Sequence, residues 1–150
     1  RIDVLLSDGF DQVDEPADAA SILGMGGLAI RAIIAKADLT SFRVLVLGPQ
    51  SEAASLRFWL ADHGWTIEDE IFVVDREKHY PILRAVRGTM TIDLVAARYG
   101  PILLSRRSSD LFLQIEKELA HLTAAQAHAT DRVKSEALAR QIQTLRSILS

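Results

Sequence analysis

Three short segments carry residue types and spacings that could hold a reacting ligand. They are Ser7-Asp8-Gly9-Phe10, Gly24-Met25-Gly26-Gly27-Leu28 and Gly48-Pro49-Gln50-Ser51. Glycine lets backbone N–H groups come close to a ligand, and a helix starting at such a turn adds a favourable dipole. A tight turn accounts for any one of these glycines alone. Three such segments at three strand ends favour a ligand cradle, because open α/β sheets bind ligands beyond the carboxyl ends of their strands.

Most familiar catalytic devices are missing. Gly24-Met25-Gly26-Gly27 lacks the spaced glycine triplet, and the acidic residue some twenty positions on, of a dinucleotide fingerprint. There is no phosphate-binding lysine loop, no GxSxG elbow and no carboxylate pair in a catalytic arrangement. The chain has no cysteine, which excludes disulfides, thiolate metal sites and cysteine nucleophiles and fits a reducing cytoplasm. His63, His79, His121 and His128 are not at metal-ligand spacing, so no metal is expected.

Alternating strand-like and helix-like segments must position the three loops. Residues 2–6, 19–23 and 43–47 are short apolar runs, each followed by turn residues. Residues 28–37 form a densely apolar helix. Ser51 is a plausible N-cap for the next helix, whose face carries Leu56, Trp59 and Leu60, and Gly64 sits where a left-handed residue ends it. This alternation predicts a parallel sheet covered on both faces. Residues 66–75 and 80–87, joined by the polar Arg76-Glu77-Lys78-His79, then predict an antiparallel hairpin at the sheet edge.

The composition changes after Gly100-Pro101. From Ser109 onward there is no glycine or proline. Leu111, Ile115, Leu119 and Leu122 make one helical stripe, and Val133, Leu138, Ile142, Leu145 and Leu149 another, with the less apolar 123–130 between. Two such stripes bury each other best in an antiparallel, coiled-coil-like helical hairpin. The expected domains are residues 1–106 and 107–150.

The 150 residues are 49% hydrophobic and 25% charged, which suits a globular fold with a real core. No apolar run approaches the roughly 20 residues of a membrane span, so no membrane partner is expected. Net charge is −3, but unevenly spread. Arg1, Arg31 and Lys36 face seven acids before residue 43. Between 76 and 107, Arg76, Lys78, Arg84, Arg87, Arg98, Arg106 and Arg107 face only Glu77 and Asp93. That basic middle could meet phosphates, or could be a solvated surface.

Taken in order, the three loop segments, Leu56-Arg57-Phe58-Trp59-Leu60, Lys78-His79-Tyr80 and Tyr99-Gly100-Pro101 resemble the TrmK-type family. That family methylates N1 of the adenine at position 22 of bacterial tRNA. The likeness runs along essentially the whole chain, and Gly-Met-Gly-Gly with its flanking strand is its most specific element. There are departures. The family usually has Leu-Gln-Pro-Asn where this chain has Leu47-Gly48-Pro49-Gln50, an aspartate-glycine-leucine where Asp8-Gly9-Phe10 stands, and a glutamate where Pro81 follows Tyr80.

The resemblance implies a Rossmann-like class I methyltransferase sheet, parallel with an antiparallel edge hairpin, and S-adenosylmethionine as cofactor. It assigns Asp8 and Gly9 to the adenine end of that cofactor and Gly24, Met25 and Gly26 to its binding. Gly24, Met25, Gly26 and Gly27 would line the methyl-transfer centre, and Pro49 and Gln50 would border the target base. Arg57 is expected to face solvent or phosphate, and tRNA docking to fall to it and to Arg84, Arg87, Arg98, Arg106 and Arg107. The family's first two strands have no counterpart here, so a fragment lacking them, and binding cofactor poorly, is expected. Two alternatives stand beside this: a non-catalytic module docking through the helical hairpin, and another Rossmann-type enzyme using a different nucleotide.

Overall fold

The structure, a computed structural model, describes residues 2–150. Its contacts divide the chain into two units, Arg1–Ile102 and Leu103–Ser150. The first unit contains β1 (Ala19–Met25), α1 (Gly27–Lys36), β2 (Val44–Pro49), α2 (Ala53–Asp62), β3 (Trp65–Asp75), β4 (Lys78–Arg87) and α3 (Leu94–Tyr99). Helix α4 (Pro101–Ser105) begins at its end. The strands lie in the order β1-β2-β4-β3, with β1 and β2 parallel and β4 antiparallel to both its neighbours.

Register decides which side chains form the core. Residues paired across a ladder share a face, and here Leu45 lies opposite Ala85, and Leu47 opposite Leu83. All four are fully buried, in one cluster with Ile30 and Ile34 of α1 and Leu56 and Leu60 of α2. Each such leucine or isoleucine stabilises by about 1.5–3 kcal/mol relative to an exposed one. Trp65 closes one end of the cluster, with the Arg87 guanidinium 4.0 Å from the centre of its ring.

The expectation of two covered faces fails. On the opposite face Gly48 lies between Leu23 and Ile82, whose methyls sit 2.8 and 2.9 Å from where its Cβ would be. Leu23 there, and Ile71 paired with Ile82, stay about half exposed. The reason is handedness. A strand–helix–strand crossover is right-handed, and both crossovers step across the sheet in the same direction, so α1 and α2 fall on one side.

Residues 2–6 form no strand either, and Ile2, Val4 and Leu6 are all more than nine-tenths exposed. An apolar run becomes a strand only when a neighbour takes its N–H and C=O groups. Among the described residues no strand lies beside it. The hairpin forms as expected but with a tighter link. Its ladder reaches Asp75 opposite Lys78, leaving Arg76 and Glu77 as a two-residue turn at φ 47° and 67°. Gly64, at φ 75°, does end α2 in the left-handed region.

In the second unit, α5 (Ser109–Ala127) and α6 (Arg132–Leu149) are antiparallel, since Arg107 before α5 donates to the Leu149 carbonyl oxygen at 3.3 Å. Leu111 and Ile115 are buried with Ile142 and Leu145. Helix α5 runs through half of the less apolar stretch to Ala127, so the turn is only 128–131. Val133, just after it, is 74% exposed and leaves the predicted stripe. The Asp131 carboxylate caps α6, accepting from the Lys134 N–H at 2.9 Å. Asp131→Ala is expected to cost about 1 kcal/mol. Urea titration read by helical circular dichroism would check it, and an unchanged midpoint would mean that the cap contributes nothing.

Candidate functional site

The carboxyl ends of β1 and β2 lie side by side, with Met25 in register with Pro49. Gly24, at φ 76°, adopts a conformation that side chains resist, and the ladder shifts register between Leu23 and Met25. Two backbone hydrogen bonds then lace the loops together. Gln50 N–H donates to the Met25 carbonyl at 2.8 Å, and Gly27 N–H to the Ser51 carbonyl at 2.7 Å. Gly26 is the N-cap of α1, and its carbonyl accepts the Ile30 N–H at 3.0 Å. The result is a fixed two-loop ledge. Gln50 stands exposed on it, and Met25 is 38% exposed.

The glycines there have separate jobs. A Cβ on Gly27 would fall 2.6 Å from the Glu52 carbonyl oxygen and 2.7 Å from that of Ser51, so this buried residue is glycine because another backbone presses on it. Gly26 is looser. Its missing Cβ would meet only the Ser51 hydroxyl, at 3.0 Å. Ser51 is not the N-cap of α2. Glu52 takes that position at φ 55°, with no side-chain capping bond.

Asp8, Gly9 and Met25 line one cavity of about 240 Å³, walled also by Phe10, Ala29, Ile33 and Lys36. Pockets for whole drug-sized ligands are roughly 300–1,000 Å³, so this one suits a single end of such a molecule. It offers a carboxylate acceptor, a glycine at φ 62° and an apolar side formed by Met25, Ala29 and Ile33. Beside it, a cavity of about 440 Å³ is edged by Asp11, Asp14, Glu15 and Asp38 against the single cation Lys36. The Asp38 carboxyl is held below its ordinary value, first by the Thr40 hydroxyl and then by the Thr40 N–H donating to it. Among the described residues no group of three or more acids and histidines is placed to hold a metal, and no helix is long and apolar enough to cross a membrane.

The six arginines expected to meet RNA differ in their surroundings. Arg57 is a correction, because it is 1% exposed and cannot face solvent or phosphate. Its Nε donates to Glu70 Oε1 at 2.8 Å and its Nη1 to the Ala97 carbonyl at 2.7 Å. Glu70 Oε2 in turn accepts the Ile102 N–H at 3.0 Å. A buried guanidinium is tolerable only with such partners. Glu70 is missed in the sequence because Glu68-Asp69-Glu70 gives no sign of which acid points inward. The register shift between Ile67 and Asp69 sets Glu70, opposite Leu83, onto the core face.

Arg87 is also occupied, donating to the Phe42 and Leu39 carbonyls while covering Trp65. Arg84 pairs with Glu68 across the hairpin in a half-exposed position. Arg98 lies 5.3 Å from the Tyr99 ring and Arg107 4.6 Å from the Phe112 ring, and Arg106 has a partner within the chain.

A family model described as tRNA (adenine(22)-N(1))-methyltransferase matches residues 1–147. The tRNA (adenine(22)-N(1))-methyltransferase of Bacillus subtilis (strain 168) is 29% identical over 165 aligned residues, which cover 99% of this chain and 69% of that protein. The crystal structure of a putative tRNA methyltransferase of Streptococcus pneumoniae is similar at a TM-score of 0.88 and 28% identity, across 97% of this chain and 68% of that one. The same protein in complex with S-adenosyl-L-methionine is similar at a TM-score of 0.83, again at 28% identity, over 97% and 67% of the two chains.

Proposed function

The chain belongs to the tRNA (adenine(22)-N(1))-methyltransferase family, and from that premise we propose that the β1–β2 ledge is the place where a tRNA adenine receives its methyl group on N1. The observation that carries this is the hydrogen-bonded junction of the two strand ends, Gln50 to Met25 and Gly27 to Ser51, with Met25 and Gln50 exposed above it. A junction of this kind offers two fixed backbones and one polar side chain to a flat base.

When bound, S-adenosylmethionine supplies a sulfonium methyl group to the N1 lone pair of neutral adenine. N1 carries no proton to remove, so the protein needs no general base. Its residues must hold the base unpaired and in line, and positioning of this kind supplies most of the rate. Asp8 and Gly9 would hold the adenosine end of the cofactor in their cavity, with Met25 between that cavity and the ledge. Pro49 and Gln50 would border the base on the β2 side. Of the proposed phosphate contacts, the buried Arg57 drops out, and the exposed Arg84, Arg87, Arg98, Arg106 and Arg107 stay. A tRNA substrate puts the reaction in the cytoplasm.

The test uses the protein expressed from its complete reading frame, with labelled S-adenosylmethionine and unmodified bacterial tRNA. Digestion of the product should yield labelled 1-methyladenosine, reduced at least tenfold by Gln50→Ala if that side chain orients the base. A folded, cofactor-binding protein that labels no adenosine overturns the proposal. Labelled tRNA with an unaffected Gln50 variant keeps the reaction and removes Gln50 from it.

A further inference from the structure

We propose that Ser51 is a specificity-determining contact to the target adenine, its hydroxyl accepting a hydrogen bond from the exocyclic 6-amino group. The inference rests on the methyl-transfer reading of the ledge and adds a residue to it. Two observations carry it. First, a serine just ahead of a helix normally turns its hydroxyl onto the first-turn N–H groups. Here Glu52 occupies the N-cap in a left-handed conformation and α2 has no side-chain cap, so the Ser51 hydroxyl is left without that role. It makes no hydrogen bond among the described residues. Second, that hydroxyl lies over Gly26, 3.0 Å from where a Cβ on that glycine would be, between Gln50 and the Gly-Met-Gly-Gly turn.

The backbone explains why Ser51 itself is held beside the turn. Gly27 N–H holds the Ser51 carbonyl at 2.7 Å, and the left-handed Glu52 turns the chain immediately afterwards. Left-handed non-glycine residues persist where surrounding structure over-determines them, and they gather at functional sites. The fold therefore gives up a helix cap and accepts backbone strain, and the outcome is a free hydroxyl beside the residues that border the base.

The chemistry gives that hydroxyl a specific use. As a methyl group adds to N1, positive charge spreads onto the 6-amino group and makes it a stronger donor. An acceptor aimed at that group gains strength as the bond forms, so it favours the transition state over the bound base. It also separates adenine from guanine, whose position 6 carries an oxygen acceptor and would leave the Ser51 oxygen facing another acceptor.

The experiment is a cycle between enzyme and substrate. The protein from the complete reading frame, as wild type and Ser51→Ala, is assayed on tRNA carrying adenine at the target and on tRNA carrying purine there, which keeps N1 and lacks the 6-amino group. On adenine the variant should lose roughly tenfold in kcat/KM, the usual worth of one hydrogen bond. On purine the two proteins should be equal, and that equality also shows that the variant folds. Equal losses on both bases, or a loss seen only in the KM for S-adenosylmethionine, overturn the Ser51 assignment and leave the methyl-transfer reading standing. A wild type that methylates neither tRNA overturns that reading itself.

Discussion

Arg57→Ala is expected to destabilise the protein by about 3–5 kcal/mol, lowering the melting temperature by roughly 10 °C. The size follows from what remains behind. Arg57 and Glu70 are 1% and 2% exposed, and hydrogen bonds to the Ala97 and Arg98 carbonyls and from the Ile102 N–H tie this pair to α3 and the start of α4. Removing the guanidinium strands the Glu70 carboxylate in a closed interior and frees the Ala97 carbonyl. Glu70→Gln should be milder, since its amide oxygen still accepts from Arg57 and only the Ile102 N–H, left facing the new NH2 group, loses its acceptor. Arg57→Met with Glu70→Leu should recover much of the loss, because apolar pairs of similar volume often replace buried ion pairs without penalty. Denaturant melts of the four proteins would decide. An Arg57→Ala protein with unchanged stability and weakened tRNA binding would restore the surface role that the sequence suggested.

That contrast shows which parts of the molecule were legible in sequence. The alternation of apolar runs with helical stripes revealed β1, α1, β2, α2 and the β3–β4 hairpin, because those elements carry their periodicity locally. The glycine segments revealed the ledge, since close backbone approach leaves a residue signature. What a side chain does across an element junction was hidden. One extra residue between Ile67 and Asp69 decides that Glu70 turns inward, and Arg57 follows it. Nothing in Leu56-Arg57-Phe58 announces that. The coverage of the sheet was hidden for a different reason, because two helices in alternation read alike whether they share a face or not. Ser51 illustrates the same limit at the site. Its type and position suit a cap, and only the left-handed turn at Glu52 reveals that the cap is not made.

Gly27→Ala is expected to lower methyl-transfer activity about a hundredfold while costing roughly 1–3 kcal/mol of stability. The new Cβ would stand 2.6 Å from the Glu52 carbonyl oxygen and 2.7 Å from that of Ser51, where ordinary contact begins at 3.4 Å. Both obstacles are backbone, so no rotamer change relieves them. The two loops must part by most of an ångström, and the hydrogen bond from Gly27 N–H to Ser51 stretches with them. A displacement of about 1 Å in a positioned site is enough for a loss of this order. Two neighbours separate this effect from generic glycine intolerance. Gly64→Ala meets no atom within 4 Å and carries only the strain of φ 75°, so it should lower stability and leave kcat alone. Gly26→Ala meets a hydroxyl that can rotate away, so it should fold normally. If Gly27→Ala kept full activity, the lacing of β1 to β2 would be scaffolding without influence on the reacting base. The methyl-transfer centre would then have to be sought nearer the Asp8 and Gly9 cavity.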